Sequence, residues 1–223
     1  FAWLKRHTAE EDEVEVADVT SAYSVLSIMG PNSRKLLSKL TDEDLSNDHF
    51  PFGTGKEIEI GYSKALALRV TYVGELGWEL YIPSEFAQDL YDRLLEAGKE
   101  MGLKHAGMHA LNSLRLEKAY RHWGHDITDE DTPLEAGLSF AVAWDKSGGF
   151  LGREALIRKK ENGLLKKRMV QFALENPEPL LYHNEPIWCG NNIVGDTTSG
   201  MYGHSIGSCL LYTSDAADDT LCV

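Results

Sequence analysis

Residues 55 to 117 set the tightest limit on what this chain can fold into. The stretch GWELYIP, residues 77–83, alternates Trp78, Leu80 and Ile82 with Glu79 and Tyr81. That period of two is the mark of a strand with one face turned to a core. KEIEIGY and KALALRVTYV precede it as one or two further strands, and Gly74-Glu75-Leu76-Gly77 reads as a tight hairpin step. Immediately afterwards SEFAQDLYDRLLEAGKEMG changes to helical spacing through Phe86, Leu90, Leu94 and Ala97, with Ser84 placed as its N-cap. HALNSLRLEKAYRHW continues as a second helix with Leu111, Leu114 and Ala119 as its inner stripe. Strands in succession followed by helices imply an α+β fold, not a purely parallel sheet.

Elsewhere the pattern is looser. AEEDEVEVADVTSAYSVLSIMG, residues 9–30, passes from solvated charge into apolar alternation and reads as a strand or strand pair. Pro31 then suits the first position of a helix carrying Leu36, Leu37 and Leu40. EDLSNDHFPFGTGKE, residues 43–57, is rich in turn formers and reads as a loop. After a short helix and basic connector at 148–168, the segments MVQFAL, EPIWC-GNN-IVG and TTSGMYG are short strands with turn signals, the signature of a small β-barrel or sandwich. These readings place one domain at 1–149 and a barrel at 150–207. Residues 208–223, beginning SCLLYT and ending in small and acidic residues, break the pattern and resemble translated adaptor sequence. They are expected to be a non-native tail outside the barrel.

Composition removes several classes. The formal net charge is −13, the wrong sign for a protein that replaces phosphate counterions, so no nucleic-acid partner is expected. No run approaches the roughly 18 apolar residues of a membrane-spanning helix, and no membrane partner is expected. Cys189, Cys209 and Cys222 lack the spacing of a zinc site or a disulfide framework, which suits a reducing cytoplasm or mitochondrial matrix.

Few residues stand out as chemistry. Glu79 places a carboxylate among aromatic neighbours, where it is either solvated or the acceptor for a ligand edge bearing two adjacent N–H donors, such as a pterin. His122 and His125 lie near Asp126, Asp129, Glu130 and Asp131, but Gly124 separates them and no zinc or calcium spacing is present, so no metal is expected. Trp123 is a candidate aromatic platform. GHSIG has the spacing of a nucleophile elbow, yet β signals surround Ser205 where a strand–turn–helix is required. Cys189 reads as a small buried hydrophobe. Dinucleotide and phosphate-loop motifs are absent.

Seven segments in order, DVTSAYSVLSIMGPNSRKLL, DLSNDHFPF, RVTYVGELGWELYIP, SLRLEKAYRHWGHDIT, TPLEAGLSFAV, FLGREAL and TSGMYGHSIG, resemble the aminomethyltransferase (glycine-cleavage T-protein) family. The resemblance is greatest to the folate-binding part of dimethylglycine and sarcosine dehydrogenases. It implies ferredoxin-like α+β units around a folate channel, followed by a C-terminal barrel that is incomplete here. It implies tetrahydrofolate as cofactor and transfer of an aminomethyl one-carbon unit to give 5,10-methylenetetrahydrofolate. Glu79 matches the family's pterin-holding glutamate; Tyr72, Trp123 and Trp144 fall on stretches that line the channel.

The departures are informative. The family's general-base aspartate and the FAD-binding domain of the dehydrogenases would both lie upstream of Phe1. No catalytic residue is therefore expected in the chain, which reads as a fragment. Leu111 takes the place of an arginine that helps hold folate in the glycine-cleavage enzymes, favouring the dehydrogenase branch. Two alternatives are a non-catalytic regulator resembling the regulatory subunit of pyruvate dehydrogenase phosphatase, and a stand-alone aminomethyltransferase. The expected small-molecule partners are folate and a methylated amine.

Overall fold

The computed structural model describes residues 1–163, 165 and 167–213. The chain divides into two compact units, Phe1–His105 and Ala106–Val223, where the sequence had suggested a division near 150.

The first unit opens with a short helix α1 (Ala2–Arg6), followed by β1 (Tyr23–Met29) and α2 (Ser33–Leu37). Strands β2 (Gly55–Ile60), β3 (Ser63–Leu68) and β4 (Gly77–Pro83) come next, then α3 (Ala87–Gly98). The four strands form one antiparallel sheet in the order β1-β4-β3-β2. Its buried face carries Trp78, Leu80 and Ile82 of β4 with Ile58, Ile60, Ala65 and Ala67. Leu36 and Leu37 of α2 and Leu90 and Leu94 of α3 join the same core. The alternation in GWELYIP thus divides β4 as expected, with Glu79 and Tyr81 on the opposite face.

Local expectations give way where a nearby group offers a better partner. The acidic run contributes only β1, with 3-10 turns before it. Pro31 precedes the helix: Ser33 N–H donates to Gly30 C=O across a four-residue turn, with Pro31 at its second position. Ser84 Oγ donates to Ser21 C=O at 3.0 Å, and a 3-10 turn at Ser84–Phe86 leads into α3. The tight hairpin expected at Gly74–Gly77 is instead a long connection across residues 69–76, because pairing of β3 with β4 stops at Leu68↔Glu79. Gly77 is nonetheless required, since a Cβ there would lie 2.4 Å from Ile28 C=O.

The second unit contains α4 (Met108–Glu117), α5 (Arg153–Glu161), β5 (Val170–Ala173), β6 (Pro186–Cys189), β7 (Asn192–Gly203) and β8 (Ser208–Thr213). The strands form an antiparallel sheet in the order β5-β8-β7-β6. This corrects the reading of Ser208 onward as a tail. Ser208–Thr213 pairs with β5 on one side and β7 on the other, and all six residues are buried. With both faces covered, β8 shows no period of two, which is why its sequence looked foreign. Residues 214–223 of the expected tail lie outside the described residues.

Helix α4 also buries a different stripe from the one expected. Its inner residues are Ser113, Arg115 and Leu116, and the helix ends before Ala119, whose φ is +58°. Cys189 on β6 is half-buried.

Candidate functional site: a carboxylate on the open face of the first sheet

On β4, Glu79 lies directly opposite Ser27 of β1 and Leu68 of β3, while Tyr81 lies opposite Val25 and Leu66. Directly opposed residues share a face of the sheet, so these six side chains form one surface. Val25 and Leu66 are 48% and 45% exposed, and Glu79 and Tyr81 are half-buried. The Tyr81 hydroxyl donates to Glu79 Oε2 at 3.0 Å. That bond, followed by burial and the charge of Glu79, raises the Tyr81 phenol above its ordinary pKa. Oε1 accepts no hydrogen bond among the described residues. An ionised carboxylate is purely an acceptor, so the surface has the donor–acceptor character and apolar flanks that suit a flat ligand with an N–H fork. Those features fit a pterin.

Tyr72 belongs to the same unit, half-buried in the 69–76 connection. One end of that connection is fixed, because Leu76 C=O accepts from Gly30 N–H at 2.8 Å and from Ser33 Oγ at 2.9 Å.

Trp123 and Trp144 belong to the second unit. Trp123 is 66% exposed at the tip of a closed turn, where Gly124 N–H donates to Ile127 C=O at 2.7 Å. Trp144 is half-buried, donates its indole N–H to Ser139 C=O at 3.1 Å, and carries Lys160 Nζ 4.4 Å from its ring centre.

Beneath the Trp123 turn is a network that sequence reasoning missed. Arg115, 1% exposed, donates to Asp126 Oδ2 at 2.5 Å, to Ser199 Oγ at 2.7 Å and to Tyr120 C=O at 3.2 Å. Asp126 also accepts from His122 N–H at 2.8 Å and from Thr198 Oγ1 at 3.0 Å. Asp126 therefore serves an ion pair. Asp131 likewise pairs with Lys167 at 2.6 Å. No metal-binding cluster of His, Cys, Asp or Glu occurs among the described residues. Ser205 lies in the β7–β8 turn, between two strands, and lacks the helix that a nucleophile elbow needs.

Comparison with known proteins identifies the family. Residues 1–146 match the GCVT N-terminal domain and residues 167–213 the glycine cleavage T-protein C-terminal barrel domain. The chain belongs to the glycine-cleavage T-protein family. Among its T-protein relatives, the aminomethyltransferase T of Bartonella henselae superposes with a TM-score of 0.73 at 26% identity, over 87% of this chain and 52% of that one. 4-Methylaminobutanoate oxidase (formaldehyde-forming) of Paenarthrobacter nicotinovorans is 46% identical over 92% of this chain and 25% of its own length. Mitochondrial dimethylglycine dehydrogenase of Homo sapiens is 42% identical over 94% of this chain and 24% of its own. The chain thus spans about a quarter of the length of these two relatives. The T-protein assignment fits the α+β unit and barrel strands described above, and the barrel match extends through β8.

Proposed function

We propose that the chain forms the tetrahydrofolate-binding, one-carbon-transfer part of an FAD-dependent dehydrogenase or oxidase of N-methylated amines, yielding 5,10-methylenetetrahydrofolate. The observation that carries this reading is Glu79, a half-buried carboxylate with one oxygen unclaimed among the described residues, set on a sheet face beside Tyr81, Val25, Leu66 and Leu68. The pterin's ring N–H and 2-amino group would donate to the two carboxylate oxygens. Val25 and Leu66 would cover its apolar surface, with Tyr72 of the same unit as a further cofactor-binding residue. Tetrahydrofolate, when bound, supplies the nucleophilic amine that takes up the one-carbon unit. The chain's own residues bind and orient: fixing the pterin beside the site where a reactive iminium arises makes a bimolecular addition local. Enclosure would keep water from the iminium.

On this reading the amine-oxidising FAD domain and the general-base aspartate would be supplied from outside the residues of this chain. The methylated amine is the second small-molecule partner. The names of the relatives, one of them mitochondrial, support a place in the mitochondrial matrix or cytoplasm. No helix among the described residues is long and apolar enough to cross a membrane.

Calorimetric titration with tetrahydrofolate, comparing wild type with Glu79→Ala, tests the assignment. A hydrogen-bonded charged acceptor is worth about 1.5–3 kcal/mol, so the variant should bind roughly tenfold or more weakly. Equal binding by both proteins would reduce Glu79 to a solvated strand residue.

A further inference from the structure

We propose that Tyr81 is the positioning residue of this site: its hydroxyl holds the Glu79 carboxylate in the one orientation that presents both oxygens to a two-donor ligand. The inference rests on the pterin reading of Glu79 and adds a residue to it. A glutamate side chain has three rotatable bonds, and an exposed one sweeps its carboxylate through many directions. Glu79 instead has Oε2 anchored at 3.0 Å by a phenol two residues along the same strand face. The anchor is itself confined, because Tyr81 stands between Val25 and Leu66 on the neighbouring strands. Each carboxylate oxygen has two lone pairs. The phenol uses one on Oε2, leaving one there and two on Oε1, which is enough for a parallel pair of N–H donors.

The direction of the Tyr81 ionisation agrees with a persistent bond. A phenol raised above its ordinary range keeps its proton, and so its donor role, throughout the neutral range. Among the described residues this hydroxyl has no other acceptor. Its partner across β1 is Val25 and across β3 is Leu66, neither of which can substitute for Glu79.

Tyr81→Phe removes only the hydroxyl and keeps the ring between its neighbours. The experiment is a fluorescence titration of wild type, Tyr81→Phe and Glu79→Ala with two ligands. One is tetrahydrofolate; the other is an analogue whose 2-amino group is replaced by methyl, which has lost half of the donor fork. Melting temperatures of all three proteins are read alongside.

Tyr81→Phe should weaken tetrahydrofolate by about fivefold, the worth of one ordinary hydrogen bond. It should leave the analogue's affinity and the melting temperature nearly unchanged. If Tyr81→Phe weakens both ligands equally, the phenol is a plain contact and the positioning role is overturned. If Glu79→Ala loses tetrahydrofolate while Tyr81→Phe binds it like wild type, the positioning role is again overturned and the pterin reading survives. If Glu79→Ala binds like wild type, or wild type does not bind, the pterin reading fails and takes this inference with it.

Discussion

Arg115 shows what a single side chain can carry. A guanidinium taken from water is costly unless its donors are met, and here Asp126, Ser199 and the Tyr120 carbonyl meet them. Arg115→Met leaves Asp126 charged and buried, and should cost about 3–5 kcal/mol by the general cost of breaking a buried pair. Urea unfolding measures it. The sequence offered no sign of this pair, because residues eleven apart on a helix and a turn share no periodicity. Glu79, by contrast, was legible as the interruption in an apolar alternation, and Tyr81 two positions on was legible as its neighbour on the same face.

A second residue-scale prediction concerns acid. Burial pushes the Glu135 carboxyl up, but hydrogen bonds from Lys159 and from the hydroxyl and N–H of Thr132 outweigh it and hold the group at about 2, against an ordinary 4.5. The folded-state value is the lower one, so this stabilisation is complete above about 4.5 and is lost as the pH falls toward 2. The loss amounts to about 3 kcal/mol at most. Glu135→Gln should flatten that limb when stability is measured by denaturant titration from pH 5 to pH 2. A wild-type profile that is already flat there would remove Glu135 from the account. The Thr132-to-Glu135 spacing is that of a capping box, a signal present in TPLE.

At the scale of elements, β4 organises the first unit. Its inner residues, Trp78, Leu80 and Ile82, are at most 1% exposed, while its outer face holds the candidate site. Gly77 begins the strand where a Cβ would meet the Met29 side chain and lie 2.4 Å from Ile28 C=O. Gly77→Ala must therefore push β4 away from β1, at about 1–3 kcal/mol, read as a lower urea midpoint with unchanged slope. The strand itself was legible because its period is two. Its connection to β3 was not, because a glycine pair suggests a turn without saying where strand pairing stops. Helix α4 misled for a related reason: hydrophobicity alone cannot reveal that Arg115 points inward.

For the whole molecule, the antiparallel α+β unit and the barrel strands were both anticipated, and the family resemblance carried what periodicity could not. The extent of the barrel was misjudged because β8 is buried on both faces and short. Deleting Ser208–Thr213 removes an interior strand and leaves β5 and β7 with unmatched edges. The expected result is loss of protease resistance across the second unit, while fragments of Phe1–His105 survive limited digestion. Equal resistance with and without β8 would count against the strand's structural role.

The strand order β5-β8-β7-β6 also bears on the order in which the protein is made. The first unit's sheet has all its strands once Pro83 has been synthesised, and its covering helix once Gly98 has. In the second unit, the strand made last among those described belongs in the interior, beside β5. A nascent chain that has passed Gly203 but not reached Ser208 therefore holds both strands that flank β8 without the strand between them, their edges open to whatever other chain is near. The interval between Ala173 and Thr213 emerging is when this protein most needs a chaperone.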